Sequence, residues 1–270
     1  MRAWKPALWM IVAAVVACQG AATAAAAKSG AAPHKLLYVG NSFYYYNNSL
    51  HNQVNRLLNV AMPDRQVRAG YTGHSLTISG GHLAWHNVGA YLDAGIGSSA
   101  FDDNNELVPD ASRQKIDAVL MMDCSRCPLD EPTRKVFHDV VAKHSRTIRR
   151  KGAEPLLFMS WAYADKPEMI DVVSREYIKA ARDNALRLVP AGLAFQRARA
   201  ERPQMVLHAP DRRHPSPAGT YLAACTVLAS IYGLDPRGNT HWGGLSEEEA
   251  TYLQSVAWQT VRDFEGAPRR

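Results

Sequence analysis

The sequence predicts a single α/β domain built on a parallel sheet of about five strands. Two observations carry that expectation. Short apolar runs recur along the chain with helix-periodic segments between them, the pattern of successive strand–helix–strand units. The chain is also long enough for one large core: 270 residues, 47% hydrophobic and 21% charged, a composition that excludes disordered and fibrous classes.

The elements follow in order. Leu36-Leu37-Tyr38-Val39 reads as a short buried strand. Leu50, Val54, Leu57, Leu58 and Ala61 recur on one helix face. A second strand falls between Gln66 and Ser79, interrupted at Gly73, and residues 87–115, rich in Gly, Asp and Asn, read as a long loop or lid. Ile116 to Met122 is a strongly apolar third strand. A helix from about Glu131 to Arg150 turns Val136, Phe137, Val140, Val141 and Ile148 inward. Pro155 to Ser160 is the fourth strand, 169–187 a helix, and Leu188-Val189 opens a weak fifth strand. Pro217 to Tyr232 is helical, and a last helix runs from Ser246, which forms a capping box with Glu249, to Phe264.

The N-terminus reads as an export signal, residues 1–27. Arg2 and Lys5 precede the apolar run Ala7 to Ala17, and small residues follow. Two processing routes fit. Val15-Val16-Ala17-Cys18 resembles a lipobox, with Cys18 as a lipid anchor and the only membrane attachment expected; Ala22-Thr23-Ala24 or Ala25-Ala26-Ala27 offers an ordinary cleavage site. Residues 28–33 then form a flexible tether, and the folded domain spans 34–270, in a periplasmic or secreted protein. The formal charge of +6 is scattered, so no nucleic-acid partner is expected.

After export three cysteines remain. Cys124 and Cys127 suit a disulfide in an oxidising compartment; zinc or thioredoxin chemistry is the weaker reading, because no second Cys pair or His pair stands at zinc spacing. No metal and no cofactor is therefore predicted. Cys225 lies in an apolar run and reads as an inert core residue.

Three places carry candidate chemistry. Gly40-Asn41-Ser42-Phe43 follows the first strand, where a parallel sheet binds its ligands, and would present the Ser42 hydroxyl to a cleft. Asp211-Arg212-Arg213-His214 leads through Ser216 and Pro217 into a helix; a serine nucleophile needs a base, and the base needs an anion to fix its tautomer. Gly80, at the end of the second strand, frees a backbone N–H for an oxyanion. Taken singly, each has a plain reading: a helix cap, a solvated turn, a glycine turn. Tyr44, Tyr45, Tyr46 and Trp85 fall near the cleft in sequence as core aromatics or sugar-stacking rings, and His82, His86, His208 and His241 fit no metal cage.

As an ordered set, Gly40-Asn41-Ser42-Phe43, Ile78-Ser79-Gly80 and Asp211-x-x-His214 resemble the SGNH (GDSL-type) hydrolase superfamily, in particular a bacterial branch with a Gly-Asn-Ser-Phe first block. The resemblance covers about Leu36 to Tyr232. It implies a three-layer, doubly wound, flavodoxin-like sheet. It also implies a catalytic triad of Ser42, His214 and Asp211, and an oxyanion hole from the N–H groups of Ser42 and Gly80. One block departs. The superfamily's third block supplies an Asn; here Met122-Asp123-Cys124-Ser125-Arg126-Cys127 contains none, leaving Ser125 or Arg126 as the third donor. The implied activity is that of a serine esterase acting through an acyl-enzyme on a small-molecule or glycan ester. A carbohydrate O-acyltransferase and a catalytically inactive carbohydrate-binding lipoprotein are the alternatives.

Overall fold

The computed structural model describes residues 1, 32–64, 70–94, 99–101, 107–109 and 115–267. The export segment with Cys18, most of the tether and much of 87–115 lie outside the described residues.

The described strands are β1 (Lys35–Gly40), β2 (Thr72–Thr77), β3 (Ser99–Phe101), β4 (Leu107–Pro109), β5 (Ala118–Met121), β6 (Glu154–Phe158) and β7 (Arg187–Val189). Five of them form one sheet in the order β2-β1-β5-β6-β7, with every neighbouring pair parallel. This is the flavodoxin-like order, whose switch point lies between β1 and β5. The central strands read as unbroken apolar runs because both faces are covered: Leu36–Val39, Ala118–Met121 and Leu156–Phe158 are all buried.

The helices are α1 (Ser42–Tyr45), α2 (Leu50–Ala61), α3 (Val88–Ala94), α4 (Thr133–Arg150), α5 (Met169–Asp183), α6 (Ala191–Glu201), α7 (Pro217–Tyr232) and α8 (Glu247–Gly266). One layer groups α2, α6, α7 and α8; the other groups α3, α4 and α5. Helix α7 is buried almost all round, between α2, α6 and α8. Its Cys225 is a free, fully buried thiol whose pKa burial pushes up, which makes it the inert core residue expected. Helix α8 starts with the predicted capping box: Ser246 Oγ accepts from the Glu249 N–H, and the Glu249 carboxylate accepts from the Ser246 N–H.

The structure corrects four expectations. Strand β2 is continuous through Gly73, which pairs with Leu36. A Cβ there would meet His51 Cβ at 3.0 Å and the Tyr38 ring at 3.3 Å. The glycine thus serves close packing of α2 against the sheet, not a break. Residues 87–115 hold α3 and the antiparallel pair β3–β4 where a loop was expected. Val136 is exposed, because α4 buries Phe137, Val141, His144, Ser145 and Ile148 and Val136 stands about 100° round the helix from Phe137. The helix predicted over 169–187 ends at Asp183, as the chain turns through Ala185 into β7. Helix α6 was not anticipated; its inner face is mostly alanine, which leaves little hydrophobic pattern.

Candidate active site

Strand β1 ends at Gly40 and the chain turns at once into α1, so Ser42 stands at the carboxyl end of β1, beside the switch point. Asn41 holds this turn. Its Oδ1 accepts from the Phe43 N–H at 3.2 Å; its Nδ2 donates to Gly81 O at 3.2 Å and to Asp123 O at 3.3 Å. One buried carboxamide thereby joins the Ser42 turn to the loops after β2 and β5. His86 adds a second brace from Nε2 to Gly40 O at 2.9 Å. Because a carbonyl only accepts, Nε2 carries the proton, and burial lowers the His86 pKa and keeps the ring neutral.

The imidazole that meets Ser42 arrives from the far end of the chain. His214 Nε2 lies 2.8 Å from Ser42 Oγ, and His214 Nδ1 bonds Asp211 Oδ2. Asp211 Oδ1 accepts from the N–H groups of Arg213 and His214 at 2.9 and 3.0 Å. Burial alone would raise the Asp211 carboxyl, but the His214 bond and the two backbone donors outweigh it and hold the pKa at about 2. The three residues predicted for the triad therefore meet.

The loop that presents them is firmly built. His208 and Pro215 bridge across it, Ala209 N donates to His214 O, and Arg212 takes a left-handed φ of 63°. Ser216 caps α7 and Pro217 opens it, as predicted. Trp161 Nε1 donates to Arg213 O at 3.0 Å, and Asn47 Nδ2 reaches from behind α1 to Pro215 O and Thr220 Oγ1, both at 2.8 Å. Tyr46 stacks on the His214 ring at 4.1 Å, and Phe43 meets it edge-on at 5.4 Å. These contacts fix the imidazole plane. The turn that places Asn47 is strained: Asn47, Asn48 and Ser49 all have positive φ, and Ser49 sits at φ 66°, ψ 138°. Replacing Ser49 with Gly is expected to raise stability by about 1 kcal/mol, read as a higher urea midpoint at unchanged slope.

For an oxyanion, two donors face no competition: among the described residues no hydrogen bond engages the N–H of Ser42 or of Gly80. Gly80 has φ +64°, which a side chain would resist. The third donor is placed less simply. Ser125 Oγ lies 2.8 Å from Tyr163 OH, and the Arg126 guanidinium, 65% exposed, pairs with Asp130. Asp123 is buried, with a carboxyl pKa raised by desolvation; the N–H groups of Leu83 and Cys124 and the nearby His82 partly offset this.

The other singled-out residues divide. Tyr44 is a core aromatic, bonded to Leu120 O. Tyr45 is exposed and donates to Ser79 Oγ, and Trp85, 58% exposed, stacks on His82. His208 is buried against Ala162 O, and His241 pairs with Gln53. Cys124 and Cys127 form the disulfide that compartment chemistry suggested. The spacing argument against a metal-binding group overlooked a spatial one: ligand atoms of His82, Asp123, Cys124 and Cys127 lie within 4.8 Å of one another. Sequence reading placed His86 only among scattered histidines, and it passed over Asn47, Trp161 and Tyr163. All four act through hydrogen bonds to partners at least 38 residues away, and no local pattern signals that.

Neither a family model nor a curated protein matches the sequence. Solved structures do match. The chain is similar to a DUF4886 family protein from Bacteroides uniformis (17% identity, TM-score 0.59, covering 87% of this chain and 97% of that one). It is similar to a candidate SGNH hydrolase from Slackia heliotrinireducens (22% identity, TM-score 0.54, 73% and 98%). It is also similar to a catalytic mutant of Axe2, an acetylxylan esterase from Geobacillus stearothermophilus (17% identity, TM-score 0.52, 75% and 96%). These likenesses show the fold: a five-stranded, all-parallel, helix-flanked sheet of the kind that SGNH hydrolases have.

Proposed function

We propose that this chain is an exported serine esterase that hydrolyses an acyl ester, carried by a glycan, through Ser42, His214 and Asp211. The observation that carries the reading is the hydrogen-bonded line from Ser42 Oγ through His214 to Asp211. Asp211 is ionised above about pH 2, so it accepts a hydrogen bond from Nδ1–H, which keeps the proton on Nδ1 and leaves Nε2 as the basic nitrogen facing the serine. Nε2 takes the Ser42 proton as Oγ attacks the ester carbonyl. The oxyanion is held by the N–H groups of Ser42 and Gly80, with Ser125 or Arg126 as a third donor. His214 then protonates the departing alkoxide, leaving an acyl-enzyme. A water, deprotonated by the same nitrogen, releases the acid and restores Ser42.

The glycan preference rests on exposed Trp85 and Tyr45 beside the oxyanion loop, and on the acetylxylan esterases among the structural neighbours. Export and the lipid anchor rest on residues 1–27 and Cys18. The deciding experiment offers acetylated xylooligosaccharides and p-nitrophenyl acetate to the full chain, with a fluorophosphonate label for Ser42. Acetate release and Ser42 labelling are expected. Neither appearing would leave only the inactive sugar-binding alternative, and acyl transfer to an added sugar in preference to water would make the protein an acyltransferase. Cys18→Ser should shift the protein from the membrane to the soluble fraction if the anchor is real; a soluble wild type whose N-terminus begins after residue 21 would end the anchor.

The disulfide closes only a short loop, so it contributes little to global stability. Its effect is local, because it fixes the Ser125–Arg126 segment between the two sulfurs. Reduction in the presence of a chelator is expected to lower kcat while Tm moves little, and Cys124→Ser/Cys127→Ser should show the same loss with no further response to reductant. An unchanged kcat would remove the disulfide from the catalytic argument.

A further inference from the structure

The Cys124–Cys127 disulfide keeps unusual company. His82 Nδ1 lies 3.2 Å from Cys127 Sγ. Asp123, 2% exposed, fixes its Oδ1 on the N–H groups of Leu83 and Cys124, both at 2.7 Å, which orients the carboxylate beside the sulfurs. A disulfide requires neither group. Sulfur is a weak hydrogen-bond partner, so an imidazole nitrogen aimed at it gains little. Two thiolates, an imidazole and a carboxylate are instead a zinc donor set. Tetrahedral zinc with bonds of about 2.0–2.3 Å places its ligand atoms about 3.3–3.8 Å apart. The His82–Cys127 pair already stands near that spacing, and all four ligand atoms lie within 4.8 Å of one another, so the groups are gathered before the sulfurs are released.

We propose that reduction of the Cys124–Cys127 disulfide opens a zinc site formed by Cys124 Sγ, Cys127 Sγ, His82 Nδ1 and the Asp123 carboxylate. A dithiol reductant supplies two electrons and two protons. The S–S bond breaks, both cysteines become thiols, and the reductant closes to its own disulfide. Cys124 is the more exposed of the pair and is the sulfur a reductant reaches. Zinc then displaces the two thiol protons to solvent, forms two thiolate bonds, and is completed by neutral His82 and ionised Asp123. His82 follows Gly80 and Gly81, and Asp123 follows β5. The metal would therefore clamp together the two loops that Asn41 joins, and the chain would exchange one covalent tie for another as its redox surroundings change.

The test uses the full chain, reduced with a phosphine and freed of metal, titrated with zinc against a chromophoric chelator. One equivalent is expected to bind with Kd tighter than about 1 μM, and the oxidised chain should bind none at that level. His82→Ala and Asp123→Asn should each weaken binding about tenfold or more, and Cys124→Ser/Cys127→Ser should abolish it. Cobalt in place of zinc should give a sulfur-to-metal charge-transfer band and the strong visible absorption of a tetrahedral ion. Two results would overturn the proposal: a reduced chain that binds zinc no better than the double serine variant, or His82→Ala with wild-type affinity. If Asp123→Asn fails to fold, His82→Ala and the cobalt spectrum still decide.

Discussion

Ser42→Ala is expected to remove about 10⁶-fold of kcat toward any ester the protein turns over, and His214→Ala about as much. Both losses follow from one geometry. Ser42 Oγ and His214 Nε2 stand 2.8 Å apart, and the imidazole is fixed by Tyr46, Phe43 and Asp211, so neither group has a substitute within reach. The double variant should lose little more than either single one, because the pair acts as a unit. Asp211→Ala should be milder, about 10⁴-fold, since Asp211 orients and stabilises the base without exchanging its proton. Circular dichroism and Tm should barely change in Ser42→Ala, which deletes one hydroxyl whose hydrogen bond is to the His214 ring. Steady-state rates checked by active-site titration decide the matter. Activity above a few per cent in Ser42→Ala would sink the assignment.

The second large effect is expected at Asn41, which is 5% exposed. Its carboxamide gives two donors to Gly81 O and Asp123 O and one acceptor to the Phe43 N–H. Asn41→Ala strands all three partners and should cost about 2–4 kcal/mol. Asn41→Asp is the sharper test. A protonated carboxyl still donates to one carbonyl; an ionised one faces two carbonyl oxygens in a buried turn. Its folded pKa must then lie above the unfolded value of about 3.9. A raised pKa contributes fully below the unfolded value and is lost as pH rises through the folded one, so the deficit against wild type should widen from pH 4 to pH 8. Urea midpoints of both proteins at the two pH values check this, and a gap that narrows or stays constant would contradict it.

Much of this was legible in the sequence. The strands of the central sheet are apolar because both faces are covered, so Leu36–Val39 and Ala118–Met121 announce themselves. Helix α7 declares both ends, with Ser216 and Pro217 at one and a left-handed Gly233 at the other. Ser42, Asp211 and His214 were legible because, as an ordered set, they resemble the first and last blocks of a known superfamily: Ser42 follows β1, and Asp211 and His214 precede α7. What stayed hidden acts across space. The His82 imidazole meets Cys127 across 45 residues, and Trp161 finds Arg213 O across 52. Gly73 looked like an interruption because sequence shows a missing side chain but not the His51 that needs the room.

The contact between Ser42 and His214 closes a loop of 172 residues, and Asn47 to Thr220 closes one of 173. Contacts so distant in sequence are the costliest to form from an open chain and depend on every element between them. Ser42 therefore emerges early in synthesis without its imidazole partner and meets His214 only when the C-terminal third has docked. Under the proposed function, Ser42 is an ordinary hydroxyl until α7 is seated, so a half-made or still-threading chain would carry no reactive serine. The time at which a fluorophosphonate first labels Ser42 in refolding chains thus marks completion of the whole domain.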